Sequence, residues 1–295
     1  MERVLTYTVP PEYDGKKLNG FLRGCLRMSA RSVTKLRHDP GSLLCNGQPI
    51  RTIDPVRAGD CLTVRIRERE SPISPEGVMP EIVYEDADVL VLNKPAGLAV
   101  HPTHNHQGDT LANAVAAYLA NSGKSGVFRA VGRLDKQTSG LVLCALHRHS
   151  ASVLTGNYEK TYLAVAEGRF SGSGEIDAPI LRPDPMKTLR AVGDGGDPAL
   201  TRWTAVCGND QLTLLSVRPI TGRTHQIRVH FASLGAPLAG DAMYGGHTDL
   251  IDRAALHCET LTFSHPITGT QISLSAPPPP DIQKLIDLIN QNQSS

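Results

Sequence analysis

The sequence predicts an α+β protein: a small N-terminal module, then a larger domain built on a mainly antiparallel, mixed β-sheet flanked by helices. Three observations carry this. At 295 residues and 40% hydrophobic, the chain can bury one large core and one small one. Short β-branched and aliphatic runs recur along it and are joined by hairpin-type turns. Glu68 to Pro80 holds three prolines, mixed charge and little apolar content, which reads as a linker. The expected boundaries are 1–68 for the first module, 69–80 for the linker and 81–295 for the large domain.

In the first module, Leu5, Tyr7 and Val9 alternate with Thr6 and Thr8, the period of a strand. Asp14-Gly15 turns the chain. Leu18, Phe21, Leu22, Cys25 and Leu26 then recur at helical spacing, and Ser29 is placed to cap a second helix whose Val33 and Leu36 point inward. Leu43 to Cys45 enters a hairpin at Asn46-Gly47, a pair that accepts the positive φ angles of a tight turn. Ala58-Gly59-Asp60 leads into the strand Cys61 to Ile66.

The large domain opens with a strand and turn from Glu81 to Asp88, followed by the buried strand Val89 to Leu92 and the loop Asn93-Lys94-Pro95. Thr110 caps a helix through Leu119. Leu141 to Ala145 is a short buried strand, Ser150 to Thr155 a short helix and Lys160 to Ala166 a strand. The Gly-, Pro- and Asp-rich stretch 172–198 is a long excursion with a hairpin. Trp203 to Val206, Leu212 to Val217, and the hairpin of Leu256–Phe263 with Ile272–Leu274 complete the sheet. An amphipathic helix bearing Ile282, Leu285, Ile286 and Ile289 closes the chain.

Composition narrows the function classes. No run reaches the roughly 18 apolar residues that span a bilayer, and Met1-Glu2-Arg3-Val4 lacks an apolar signal region, so a cytoplasmic protein is expected. The six cysteines lie singly, as reduced thiols rather than a zinc site. The net charge of +1 hides an asymmetry: residues 1–70 carry 13 Lys and Arg against 8 Asp and Glu, and Lys16 to Arg37 holds seven basic residues and no acid. Such a cluster suits a polyanion.

The chemistry concentrates at Val131 to Ala145, where the single acid Asp135 stands between Arg133 and Lys136 at the edge of a core strand. That placement suits a nucleophile better than a proton donor; a turn-forming Asp135 paired with Arg133 is the plainer alternative. A second dense polar segment runs from Ile220 to His230. His101-Pro102-Thr103-His104-Asn105-His106 lacks acidic or Cys partners and a helix to fix ligand geometry, so it reads as a substrate-facing loop, and no metal or other cofactor is expected.

Two resemblances follow from these residues. The two-helix-plus-hairpin layout, with D-G-K-K-L-N-G-F-L near its start and Cys45-Asn46-Gly47 in its hairpin, resembles the S4-type RNA-binding domain; it implies that Arg23, Arg27, Arg31 and Lys35 face RNA. In the large domain, V-L-N-K-P-A-G-L-A-V-H-P, G-R-L-D-K-Q-T-S-G-L, K-T-Y-L-A-V, T-G-R-T-H-Q-I-R-V-H and G-D-A-M-Y-G-G occur in the order of the RluA-type pseudouridine synthases. This resemblance implies an isomerase that converts specific uridines in structured RNA to pseudouridine, with large-subunit ribosomal RNA the first candidate and transfer RNA open. It makes Asp135 the catalytic aspartate, Tyr162 the aromatic packed on the uracil and a proton acceptor, and Arg228 the ion-pair partner of Asp135. Arg133 would help expel the target nucleotide, and Lys94, Arg223 and His225 would contact substrate. The chemistry agrees independently, because a base inside folded RNA must be flipped out and received on an aromatic surface.

One position departs from the family pattern: His usually precedes the Arg-Leu-Asp segment, and this chain has Gly132. A monomer is the default expectation. The competing classes are a non-catalytic RNA-binding or ribosome-assembly factor and, more remotely, a metal-dependent hydrolase on the His101–His106 loop.

Overall fold

The computed structural model describes residues 2–68, 73–102, 107–124 and 126–291. The first module consists of β1 (Glu2–Thr8), α1 (Leu18–Gly24), α2 (Ala30–Arg37), β2 (Leu43–Cys45), β3 (Gln48–Pro49) and β4 (Cys61–Arg67). Its four strands form an antiparallel sheet in the order β1-β4-β2-β3. Ser29 caps α2 as expected, its hydroxyl accepting the Ser32 N–H at 3.1 Å. Leu18, Phe21, Leu22, Val33 and Leu36 bury the helices against Leu5, Leu62 and Val64 of the sheet. Cys25 departs from expectation: α1 ends at Gly24, so Cys25 is its exposed C-cap and Leu26 carries the apolar packing instead.

The large sheet is made of β5 (Glu81–Glu85), β6 (Val89–Lys94), β7 (Arg129–Val131), β8 (Ser139–Ala145), β9 (Tyr158–Glu167), β10 (Ser173–Asp177), β13 (Leu200–Gly208), β14 (Leu212–Pro219), β15 (Leu256–Ser264) and β16 (Gln271–Ser275); β11 (Ile180–Leu181) and β12 (Ala191–Val192) form a separate two-stranded ribbon. The main path runs β10-β13-β14-β9-β15-β8-β6-β5, with β16 on β15 and β7 on β8. Every pairing is antiparallel except β15 with β8, where Cys258 sits opposite Gly140. The helices are α3 (Leu111–Asn121), α4 (Arg148–Leu154), α5 (Gln226–Ser233) and α6 (Pro280–Gln291). The sheet is therefore mixed and mainly antiparallel, as the hairpin-rich sequence implied. The excursion 172–198 contributes the edge strand β10 and the ribbon.

Aliphatic side chains of β6, β8, β9 and α3 form the main core, and β8 is buried along its whole length. That explains why Leu141–Ala145 reads as a continuous apolar run rather than an alternating one: both its faces are covered. The two modules meet through charge and through Ile267, which packs on the core of the first module. Arg3 of β1 makes a two-pronged contact with buried Asp88 at 2.8 and 2.9 Å, and Asp88 also bonds His147 Nε2 at 2.6 Å. Glu68 accepts from Arg129 at 2.9 Å and from the Arg148 N–H at 2.7 Å. Among the described residues no helix is long and apolar enough to cross a membrane.

Candidate active site

A cleft of about 510 Å³ opens where the β7–β8 loop, the start of β9 and the β14–α5 loop converge. Three carbonyl contacts fix the β7–β8 loop from below. Lys94 Nζ and the Gly97 N–H both donate to the Lys136 carbonyl, at 3.1 and 2.8 Å, and Arg253 donates to the Gln137 carbonyl at 3.1 Å. Arg253 is itself locked to Asp281 at the start of α6 by bonds of 2.6 and 2.9 Å. Thr138 N–H returns to the Asp135 carbonyl at 3.1 Å and closes the turn. Directly after it, Gly140 at φ +106° lets β8 approach β15 so closely that a Cβ there would lie 2.2 Å from the Cys258 carbonyl oxygen. This narrow approach is why the second position of the strand must be glycine.

The loop holds Asp135 at the cleft, its side chain 18% exposed. Among the described residues its carboxylate accepts no hydrogen bond, and its nearest cationic partner is Arg228 Nη1 at 3.9 Å. The plainer reading of the sequence, a local Asp135–Arg133 pair, does not form. Arg133 instead reaches across the cleft and donates to Thr224 Oγ1 at 2.9 Å.

Arg228 lies on α5, almost wholly buried, and its principal partner is Asp241. Its Nε and Nη2 donate to the two Asp241 oxygens at 2.6 Å each, and the Asp241 side chain is 1% exposed. The expected Arg228–Asp135 ion pair is present at 3.9 Å but shared: two guanidinium nitrogens are committed to Asp241 and the third is turned toward Asp135. Burial works against the Arg228 charge, but Asp241 and Asp135 outweigh it and raise its pKa. The Tyr244 ring packs under the same guanidinium at 5.0 Å.

The β14–α5 loop is pinned by buried Gln226. Its Oε1 accepts from Thr221 Oγ1 and the Arg223 N–H at 2.8 and 3.0 Å, while its Nε2 donates to the Leu200 carbonyl and Thr201 Oγ1 at 2.9 and 3.0 Å. This holds Arg223 and His225 on the cleft wall. Arg223 donates to the Pro198 carbonyl at 3.1 Å. His225, in the left-handed region at φ 58°, shares a 2.9 Å bond with the Tyr244 hydroxyl, and burial lowers its pKa against the opposing pull of Asp135.

Tyr162 lines the cleft from β9, between Cys258 and Val217 on the neighbouring strands. Burial, with Cys258 and Asp135 adding to it, raises its phenol well above the ordinary range.

Lys94 is a correction. It is fully buried beneath the loop, and it bonds the Pro95 and Lys136 carbonyls rather than facing the cleft. A strand-end lysine before a proline looks like a surface cation in sequence, and only the packing of β6 under β8 reveals otherwise. Burial pushes its pKa down to about 7, partly countered by Asp135.

The four cations of the first module assigned to RNA contact are exposed. Arg23 donates to the Met28 carbonyl at 3.2 Å, whereas Arg27, Arg31 and Lys35 have no ion-pair partner among the described residues. His104 and His106 lie outside the described residues; His101 packs edge-on against Phe128 with ring centres 5.5 Å apart. The carboxylates of Asp86 and Asp88 come close to His265, but His265, Tyr84, His147 and Arg3 satisfy them with hydrogen bonds.

Sequence reasoning gave no role to Asp241, Tyr244, Tyr158 or Lys160. The G-D-A-M-Y-G-G run was the available signal for the first two, since an acid and an aromatic between glycines suggest a tight turn with something to hold. Gly132, which departs from the family pattern, now has a physical account. It sits at φ +81°, and a Cβ there would lie 2.1 Å from the Tyr158 hydroxyl. The space that a side chain at 132 would need is filled from β9.

A model of the RNA pseudouridylate synthase family matches residues 88–233. The chain is 37% identical over 271 residues to the uncharacterized RNA pseudouridine synthase YjbO of Bacillus subtilis, covering 89% of this chain and 96% of that one. It is 34% identical over 309 residues to ribosomal large subunit pseudouridine synthase D of Xanthomonas campestris, covering 97% and 92%. Among solved structures, human RNA pseudouridylate synthase domain containing 1 superposes with a TM-score of 0.56 at 25% identity, over 77% of this chain and 98% of that one. Fold and matches together define an RNA-modifying isomerase. The chain belongs to the RNA pseudouridine synthase family.

Proposed function

We propose that this enzyme converts uridines of large-subunit ribosomal RNA to pseudouridine in the Asp135 cleft, with Asp135 as the catalytic carboxylate. One observation carries the site: a carboxylate with no hydrogen-bonded partner among the described residues faces a cleft whose walls present Arg133, Arg223 and the third nitrogen of Arg228. The target is supported by relatives from Xanthomonas campestris, Pseudomonas aeruginosa and Vibrio parahaemolyticus, each a ribosomal large subunit pseudouridine synthase D at 33–34% identity over 97–98% of this chain. A ribosomal RNA substrate also supports a cytoplasmic location for the enzyme.

In this reading the target uridine leaves its stack, Arg133 fills the gap and the uracil lies against Tyr162. As N1 leaves C1′, Asp135 attacks or stabilises the cationic sugar carbon. The base then turns, C5 bonds C1′, C5 loses its proton and N1 takes one up. Arg228, held from behind by Asp241, keeps positive charge near Asp135 throughout. Tyr162 serves as a packed ring and phenol donor; a proton-acceptor role would need the phenolate, which burial and Asp135 both disfavour. The module 1–68 docks RNA through Arg23, Arg27, Arg31 and Lys35.

The test is Asp135→Asn, with pseudouridines mapped in large-subunit ribosomal RNA and transfer RNA from cells carrying either form. Loss of specific sites in large-subunit RNA, with the purified variant folded and still binding RNA, is the expected result. Wild-type turnover by the variant would remove Asp135 from the mechanism, and loss confined to transfer RNA would reassign the target.

A further inference from the structure

The wall of the cleft formed by β9 carries two polar groups that the mechanism above does not use. Tyr158 occupies the space over Gly132, with its hydroxyl close against the residue that precedes Arg133. That hydroxyl lines the cleft and has no hydrogen-bond partner among the described residues. Two residues on, Lys160 lies on the same side of the strand, because side chains at i and i+2 share a face. Its residue is 7% exposed, yet its ammonium has neither an ion pair nor a hydrogen bond among the described residues. What it does meet is the Tyr158 ring, 5.6 Å from Nζ to the ring centre. The neighbouring acid, Glu159, points elsewhere and pairs with Arg218 at 2.7 Å.

The Lys160 stem is packed away, but its ammonium opens onto the cleft, where a cation without a counter-charge is free to meet an anion. Beside it stands a phenol O–H, a donor with nothing to donate to. Two unspent donors at one end of a cleft that receives RNA match one chemical group, the phosphodiester. The geometry points to Tyr158 and Lys160 as a phosphate clamp. It holds the backbone phosphate next to the nucleotide that enters the cleft, with Gly132 leaving the room that Tyr158 needs. The inference rests on the cleft being the active site and adds to it a contact that positions the RNA without touching the reacting atoms.

The experiment uses the full chain and an unmodified in vitro transcript of large-subunit ribosomal RNA, with Tyr158→Phe and Lys160→Met as variants that keep side-chain shape. Each is expected to raise KM about threefold to tenfold while kcat changes less than about twofold. Lys160→Met should also reduce the slope of log affinity against log salt by about one ion, and Tyr158→Phe should leave that slope unchanged. Affinity is measured by equilibrium binding as well, so the clamp is tested whether or not this transcript is turned over. Unchanged affinity and an unchanged salt slope in both variants would overturn the clamp. Wild-type inactivity on the transcript, with the variants still weakening binding, would instead count against the assigned target.

Discussion

Arg228 gives its two-pronged grip to Asp241 and only a 3.9 Å approach to Asp135. Asp241 therefore sets where the guanidinium points, and Asp135 receives its field without being tied down by it. Removing one member of a buried, bidentate pair leaves the other charge uncompensated and costs about 3–5 kcal/mol. Asp241→Ala should lower unfolding free energy by that order in denaturant titrations. Asp241→Asn keeps the shape and should fold, but with Arg228 less firmly aimed it should lose more in kcat than in KM. An Asp241→Asn enzyme with wild-type single-turnover rate would show that Arg228 needs no anchor.

Lys94 makes stability depend on pH in a defined window. Burial holds its pKa near 7, against about 10.4 for an unfolded lysine. Between those values the unfolded chain carries a proton that the native chain lacks, so native stability rises with pH there. Below about pH 7 both states are protonated and the penalty is present in full, on the order of 4 kcal/mol. Lys94→Met removes the ionisation together with the bonds to the Pro95 and Lys136 carbonyls, whose loss is independent of pH. The stability difference, wild type minus variant, should therefore grow in favour of wild type from about pH 7 to about pH 10. A flat difference across that range would mean that the Lys94 ammonium does not lose its proton there in the native state.

These two residues also show how far the sequence could be read. The hairpin turns and apolar runs were enough for the mixed sheet, the Ser29 and Thr110 caps and the final helix, because each rests on local chemistry. The loop around Asp135 stood out because an acid between two cations at a strand edge is a local pattern as well. The partnerships were not local. Arg228 and Asp241 are 13 residues apart, and Lys94 reaches the Lys136 carbonyl 42 residues away. Gly132 and Tyr158 become neighbours only when β9 packs beside the β7–β8 loop. No periodicity encodes which long side chain will fill which gap.

The exposed cations of the first module should act through phosphate neutralisation. Reversing charge at Arg27 and Arg31 to Glu should weaken binding to ribosomal RNA and flatten its salt dependence, by roughly one unit of log–log slope for each phosphate left without its cation. At saturating RNA the turnover should stay that of wild type, since neither side chain lines the cleft. Titration of binding between low and physiological salt reads this directly. An unchanged slope would move RNA docking off the 1–68 module.

Gly140 couples the fold to the site more tightly than its size suggests. It pairs with Lys94 on one side and Cys258 on the other, and it lies in the strand that leaves the Asp135 loop. A Cβ there would meet three backbone atoms of Cys258, at 2.2, 2.7 and 2.8 Å, none of which can rotate away. Gly140→Ala thus carries two costs, a left-handed φ of +106° and a forced separation of β8 from β15. Together these should destabilise by about 2–4 kcal/mol. Gly59→Ala is the natural control, because Gly59 has φ +87° but open space around it, so it carries the conformational cost alone. The excess destabilisation of Gly140→Ala over Gly59→Ala, read by denaturant titration, isolates the collision. Because strand separation would tilt the loop that displays Asp135, the Gly140 variant should also lose turnover under conditions where it remains fully folded. The Gly59 variant should not. Equal destabilisation in the two variants, with turnover intact in both, would show that β8 and β15 have slack that the close approach of their backbones denies.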